Sequence, residues 1–368
     1  MAQKIQNLNI EDIEGIEGIV NDEDGSWGDY PIDTFLIRNE SRTVHDVLRR
    51  IEKGSFVMDP DFQRDFIWPD DKQSKLIESV LLRIPLPVFY LAENPKGQMI
   101  VVDGLQRFST FQRFVNNQLR LKLPTQIELN KKLFKDLSPK LQNRIEDCNL
   151  ILYVIDTKVP PKALLDIFER VNSGEPLTRQ QMRNCLYSGI ATQFLKNEAK
   201  TDLFLQATGD SLKADTMRDR EMVNRFCAFQ LLGIDGYKGD MDSFLASALE
   251  RMNSLPPAEL EKLSAQFRNS VNNNIIIFDK YAFRKHTPNQ ENRGTFNVSL
   301  WDVMTTGLSK YPAHLVEARA ESIRNAFYPL LGDKLFDESI TLGTNQVAKV
   351  KTRFLKVGEM LKGVLDDQ

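Results

Sequence analysis

One short string in this chain has the residue types and order to handle a phosphate. Met99-Ile100-Val101-Val102 is an apolar, β-favouring run, Asp103-Gly104 is a turn, and Leu105-Gln106-Arg107-Phe108-Ser109-Thr110 opens a helical pattern. A buried strand that turns sharply into a helix exposes the helix's first amides. Those amides and the positive end of the helix dipole favour an anion such as phosphate. Gly104 lets backbone approach closely. Arg107 brings a planar fork that matches phosphate oxygens. Asp103 is suited to hold a metal, position a water, or cap the helix. Standing alone, the string also describes an ordinary N-cap followed by a surface charge, which is the commoner meaning of such a sequence.

Two further stretches carry suggestive chemistry. In Phe62-Gln63-Arg64-Asp65-Phe66-Ile67-Trp68, aromatic residues flank polar ones. Gln63 and Arg64 suit a phosphate or a base edge, and aromatics such as Trp68 suit stacking on a base. The plainer alternative is an aromatic loop packed at the sheet edge, with Arg64 paired to Asp65 or Asp103. In Phe168-Glu169-Arg170-Val171-Asn172-Ser173-Gly174-Glu175-Pro176-Leu177-Thr178, a helix ends at a glycine and a new one starts after a proline. Asn172 and Ser173 offer donors to a phosphate or sugar; a tight interhelical turn explains the same residues.

The elements that must position these residues follow from periodicity. Spacing predicts helices over 43–53, 71–82 and 106–116, with strands over 56–58, 88–92 and 98–102 and a turn over 94–97. A further strand is expected over 119–123 and another over 150–156. Helices are expected over 138–148, 161–171 and 178–187. Beyond that the pattern is helical, over 190–206, 217–233, 241–253, 257–282, 297–309, 313–328 and 344–362. Residues 1–40, acidic and rich in Gly, Asn and Asp, read as an arm. The expected organisation is an arm over 1–40, a mixed α/β domain over 41–190 and an α-helical domain over 191–368.

Composition narrows the function classes. The 368 residues carry a net charge of −3, so no global basic field draws the chain to nucleic acid, and any such contact must use a local patch. Two such patches suggest themselves: Lys349, Arg353 and Lys356 on the last helix, and Arg218, Arg220 and Arg225. A solvated amphipathic face is the simpler account of both. Cys148, Cys185 and Cys227 are far apart, which argues against a disulfide framework or zinc ribbon and suits a reducing cytoplasm. No stretch approaches the roughly 18 apolar residues of a membrane helix. A cytoplasmic protein without a membrane partner is expected.

Taken together, the strings F-Q-R-D-F-I-W, L-I-E-S-V-L-L-R-I-P-L-P-V-F-Y-L, V-V-D-G-L-Q-R-F-S-T-F and I-F-E-R-V-N-S-G-E-P-L-T…N-C-L resemble the N-terminal domain family of GmrSD-type, modification-dependent (type IV) restriction enzymes. The resemblance covers roughly residues 40–190. It implies an α+β chain: a ParB/sulfiredoxin-like α/β N-terminal domain followed by a mostly α-helical C-terminal domain. It implies that Asp103, Gly104, Gln106 and Arg107 handle a nucleotide's phosphates, with Asp103 and Arg107 catalytic and Asp103 the candidate Mg²⁺ ligand. It also implies that Asn172, Ser173 and Gly174 form a second nucleotide-binding motif, and that the Gln63, Arg64 and Trp68 loop senses modified DNA. Leu105 departs from the family, which usually has Gln there.

The function implied is prokaryotic, anti-phage DNA defence: binding and hydrolysis of a nucleoside triphosphate while sensing or acting on DNA. Many relatives add an HNH-like nuclease. Here only Lys285-His286-Thr287-Pro288-Asn289 comes near that pattern, and no second histidine accompanies it. Two other readings stay open. One is a metal-dependent endonuclease using the same cluster with Asp61 or Glu169. The other is a non-catalytic sensor that regulates a separately encoded nuclease or effector. A homo-oligomer is a separate partner reading that also stays open. A sulfiredoxin-like redox role lacks its cysteine at the turn.

Overall fold

The apolar runs pair into one mixed five-stranded sheet in the structure, a computed structural model. It describes residues 16–17, 37–58, 68–94, 97–156, 159, 163–164, 166–167, 178–209, 211–214 and 216–366. The chain divides into two compact units, Ser26–Ser188 and a second made of Met1–Gly25 with Gly189–Gln368. The first is mixed and the second mostly helical, so the chain is α+β. Among the described residues no helix is long and apolar enough to cross a membrane.

Strand β1 (Ile16–Glu17) belongs to the second unit. The sheet of the first unit contains β2 (Ile37–Thr43), β3 (Phe56–Val57), β4 (Phe89–Glu93), β5 (Met99–Asp103) and β6 (Asn149–Ile155), in the order β2-β6-β4-β5-β3. β4 and β5 are an antiparallel hairpin, while β6 runs parallel to β4. Helices α1 (Val44–Glu52), α2 (Asp70–Leu81), α3 (Leu105–Val115) and α4 (Pro139–Glu146) share one apolar core with the sheet. Phe108, Phe111 and Phe114 line one face of α3 and are wholly buried with Phe89 of β4. Each such ring contributes about 1.5–3 kcal/mol by leaving water.

Two expectations fail here for physical reasons. β2 lies in the stretch read as an acidic arm. Its residues, Ile-Arg-Asn-Glu-Ser-Arg-Thr, show no apolar alternation because it is an edge strand whose side chains mostly face solvent. It is held by antiparallel pairing with β6 and by an ion pair of Arg38 with Glu93 of β4 at 2.7 Å. The strand expected over 119–123 does not form. Leu119, Leu121 and Leu123 do alternate into the core, but the segment exchanges only two backbone bonds with its neighbour: Leu121 N–H to Lys132 O (3.0 Å) and Lys131 N–H to Leu121 O (2.8 Å).

In the first unit, α5 (Arg179–Leu186) follows the sheet. The second unit contains α6 (Ile190–Ala199), α7 (Asp202–Thr208), α8 (Arg218–Leu232), α9 (Met241–Asn253), α10 (Pro257–Phe278), α11 (Val298–Leu308), α12 (Ala313–Ala318), α13 (Ala320–Leu331), α14 (Lys334–Thr341) and α15 (Val347–Leu365). The single helix expected over 190–206 is two, because Thr201 caps a new one by accepting the Phe204 N–H at 3.3 Å. α14 was not legible: it is eight residues long, and its start depends on Asp333 accepting the Phe336 N–H at 2.8 Å. β1 pairs parallel with β7 (Phe296–Asn297), and Glu17 accepts from Asn297 Nδ2 at 3.0 Å.

Neither basic patch survives folding as a surface. Arg225 and Arg353 are buried around Asp302 of α11. Arg225 Nε and Nη2 donate to its two oxygens at 2.8 and 2.6 Å, and Arg353 Nη2 donates to Oδ2 at 3.1 Å. Burial pulls the Arg353 guanidinium down to about 10, so it remains a cation at neutral pH. Arg218 pairs with Glu221 at 3.0 Å, Arg220 is buried, and Lys356 pairs with Asp333 at 2.8 Å. Removing the shared anion strands two buried cations, which typically costs about 3–5 kcal/mol. Asp302→Asn is therefore expected to lower the stability of the second unit by at least that much in urea unfolding; a shift below about 1 kcal/mol would show that the triad carries little.

Candidate functional site

The Asp103 turn is built by a steric constraint. β5 ends at Asp103, and Gly104 adopts φ +102° as the N-cap of α3. A Cβ on Gly104 would sit 2.2 Å from Phe89 Cδ1. Only glycine fits both the left-handed backbone and the pressed ring. Phe89 in turn stacks on Phe108 with ring centroids 4.4 Å apart. Gly104 offers no side-chain cap, so the first amides of α3 depend on other groups.

Arg107 is not a surface charge. Its relative exposure is 7%, and its guanidinium lies 4.0 Å over the Phe89 ring. Nη2 donates to Asp103 Oδ2 at 2.7 Å and to Val88 O at 3.0 Å, and Nη1 donates to Pro87 O. The fork is thus turned inward, holding the end of β5 to the lead-in of β4. Burial pushes the Asp103 carboxyl up, with Arg107 and the Gly104 N–H offsetting only part of the effect. Burial likewise lowers Arg107, countered in part by Asp103. Asp103 remains partly exposed, so its carboxylate faces both the buried guanidinium and solvent.

Gln106 ties the turn to Trp68. Its Oε1 accepts from the Trp68 N–H at 3.0 Å. Gln73 Nε2 donates to Trp68 O, and Arg113 Nη1 donates to Gln73 Oε1 at 2.7 Å. Lys72 Nζ lies 4.4 Å over the Trp68 ring. So the structure brings Trp68, Gln106, Arg107, Gly104 and Asp103 together. Leu105 packs against the core, where a glutamine would put an amide among apolar groups. Gln63, Arg64, Asp61, Glu169, Asn172, Ser173 and Gly174 lie outside the described residues. Among the described residues no group of three metal-ligating side chains occurs. Mg²⁺ is usually held by one or two carboxylates plus substrate phosphates. Asp103 fits that role only together with a nucleotide.

Sequence reasoning overlooked the polar core of α5, which packs against β5. Five of its eight residues are polar, yet Gln180, Arg183 and Asn184 are buried. Gln180 Nε2 donates to Asn184 Oδ1 at 2.9 Å, and Arg183 Nε to Gln180 Oε1 at 3.1 Å. The available signal was the 180, 183, 184 spacing of one helix face, which reads as a solvated face unless burial is known. The helix is capped by Thr178, which accepts from the Gln181 N–H at 3.2 Å. A cleft of about 480 Å³ lies elsewhere in this unit, lined in part by Arg83, Ile84, Lys140, Arg144 and Cys148; the Asp103 turn does not border it.

His286, in the second unit, is a buried core residue. It stacks on Tyr281 at 4.9 Å, and Phe278, Phe327 and Tyr328 surround it. Its Nδ1 is 2.9 Å from Arg284 O. Burial lowers its pKa, so it is neutral at pH 7.

Residues 44–188 match the family model described as GmrSD restriction endonuclease, N-terminal domain. No curated protein and no solved structure matches the chain.

Two outcomes follow from this geometry. Gly104→Ala combines a left-handed alanine with a clash against Phe89, so it should cost about 2 kcal/mol or more in urea unfolding; wild-type stability would contradict the constraint. For His286, the folded pKa lies below the unfolded value of about 6.5, so the unfolded chain binds the proton first. Stability is full above that value and lost as pH falls through it. His286→Phe should flatten this loss between neutral and mildly acidic pH, measured by urea midpoints, whereas an unchanged slope would place the titration in another group.

Proposed function

Because residues 44–188 belong to the GmrSD restriction endonuclease N-terminal domain family, we propose that this restriction-type defence protein binds a nucleoside triphosphate at the Gly104 turn and hydrolyses it while sensing DNA. The observation that carries the reading is the junction of β5 and α3. A glycine with φ +102° opens an eleven-residue helix without a side-chain cap, beside a carboxylate and a guanidinium. Helix amides in that setting favour phosphate oxygens.

The geometry divides the roles differently from a simple phosphate clamp. The amides at the start of α3 and Gln106 are the groups that meet the phosphates. Arg107 is a positioning residue, because its fork already holds Pro87, Val88 and Asp103. Asp103, with its carboxyl pushed up by burial, is better matched to take a proton from an attacking water than an ordinary aspartate. In the alternative role Asp103 would be the protein ligand of Mg²⁺, which when bound would supply charge neutralisation for the phosphates. Asn172, Ser173 and Gly174 are assigned the second nucleotide contact, and Gln63, Arg64 and Trp68 the DNA contact. Trp68 supports that assignment, since its backbone is held directly by Gln106. A DNA contact at the loop would therefore be felt at the nucleotide turn.

A second reading has its own support. The inward-turned Arg107 suits a site that binds and switches. The chain would then be a sensor acting on a separately encoded effector, in which nucleotide binds but does not turn over.

Arg107→Ala is expected to abolish nucleotide turnover, and retained hydrolysis in that variant would overturn the assignment. Gln106→Glu keeps the acceptor for the Trp68 N–H but places a negative charge beside the phosphates. It should weaken nucleotide binding about tenfold, roughly 1.4 kcal/mol, in equilibrium titrations with an unchanged circular dichroism spectrum. Nucleotide binding without hydrolysis in the wild type would favour the sensor.

A further inference from the structure

Far from the turn, at the other end of α3, the chain gathers cations that no part of the preceding account uses. Residues 117–140 contain six basic residues and two acidic ones, in a chain whose net charge is −3. Lys122 is neutralised by Asp70 at 3.0 Å. Lys131, Lys132, Lys135 and Lys140 form no ion pair with any described residue. Of the two acids, Asp136 accepts the Leu133 N–H at 3.0 Å and so caps its own short helical turn.

The segment is irregular but firmly held. Leu119, Leu121, Leu123 and Leu137 anchor it in the core. The two backbone bonds between Leu121 and residues 131–132 set Arg120 beside Lys131, and Arg120 Nη1 donates to Lys131 O at 2.5 Å. Lys135 N–H donates to Asn117 Oδ1 at 2.9 Å, and Lys131 sits at φ +63°. Arg120, Lys131 and Lys135 are therefore displayed at the surface on a fixed scaffold, with Lys132 between them only partly covered. Like charges held together repel one another, and an external polyanion relieves that repulsion. A nucleic-acid duplex is such a polyanion, with about one negative charge per 1.7 Å of axis.

We propose that Arg120, Lys131, Lys132 and Lys135 form a sequence-independent contact surface for the phosphate backbone of DNA. The proposal rests on the reading of this chain as a DNA-sensing protein and names residues for the duplex other than Gln63, Arg64 and Trp68. α3 has eleven residues, so the surface and the Gly104 turn are about 16 Å apart along one helix. Backbone contacts of this kind position a duplex and leave discrimination to other groups. The basic segment supplies affinity, and the aromatic loop is left to read the base.

The test uses the full chain and a short labelled duplex of arbitrary sequence, with anisotropy titrations from about 50 to 200 mM salt. Lys131→Gln, Lys132→Gln and Lys135→Gln in one variant should reduce the slope of log affinity against log salt by about one per lysine. The matching Lys→Arg variant should keep the wild-type slope, which separates charge from folding. Both variants should retain wild-type nucleotide binding. Wild-type slope and affinity in the Gln variant would overturn this surface alone. Absence of any DNA binding by the wild type would overturn both the surface and the DNA-sensing reading. Equal binding to polyglutamate would mark the surface as a site for acidic proteins and overturn the nucleic-acid assignment.

Discussion

A single buried guanidinium ties together the strand ends and helix start that form the Asp103 turn. Arg107 reaches from the first turn of α3 to the carbonyls of Pro87 and Val88 and to the Asp103 carboxylate, across the face of Phe89. It therefore joins the lead-in of β4, the end of β5 and the start of α3. A cation so far from water is tolerable only with an anion and hydrogen bonds on its fork. Asp103 supplies the first, and the two carbonyls supply the rest. Gly104 makes the arrangement possible by removing the one atom that would collide with Phe89.

The same physics recurs in the helical unit, where Asp302 stands between Arg225 and Arg353. Arginine suits these interiors because its planar fork satisfies several acceptors at once, and it is less strongly hydrated than an ammonium. The lysines of one irregular segment are placed differently. Lys131 and Lys135 remain at the surface without described ion-pair partners. Arg107, Arg225 and Arg353 are consumed by the architecture, while Arg120, Lys131 and Lys135 are exposed.

This division changes the meaning of the Asp103 turn. An arginine beside a glycine turn invites a direct phosphate contact. Here the arginine is turned inward and sets the shape of the turn. Gln106, in the same turn of α3, holds the Trp68 backbone, so the turn and Trp68 are joined through one side chain.

The sequence alone determined the elements whose pattern is local. The periodicity of Val44, Val47 and Ile51, the alternation through the hairpin of β4 and β5, and the strand–glycine–helix order around Gly104 are all local. So are the strings that resemble the family over residues 44–188. Burial of charge was not legible. Arg353, Arg225 and Arg183 have polar side chains at helical spacing, which looks the same whether the opposing surface is water or a carboxylate from a distant helix. β2 was hidden for a related reason, since an edge strand needs only a partner's backbone and carries little apolar signal. Which arginines hold the fold and which cations face outward is decided by contacts between residues far apart in the chain, and only the tertiary structure brings those residues together.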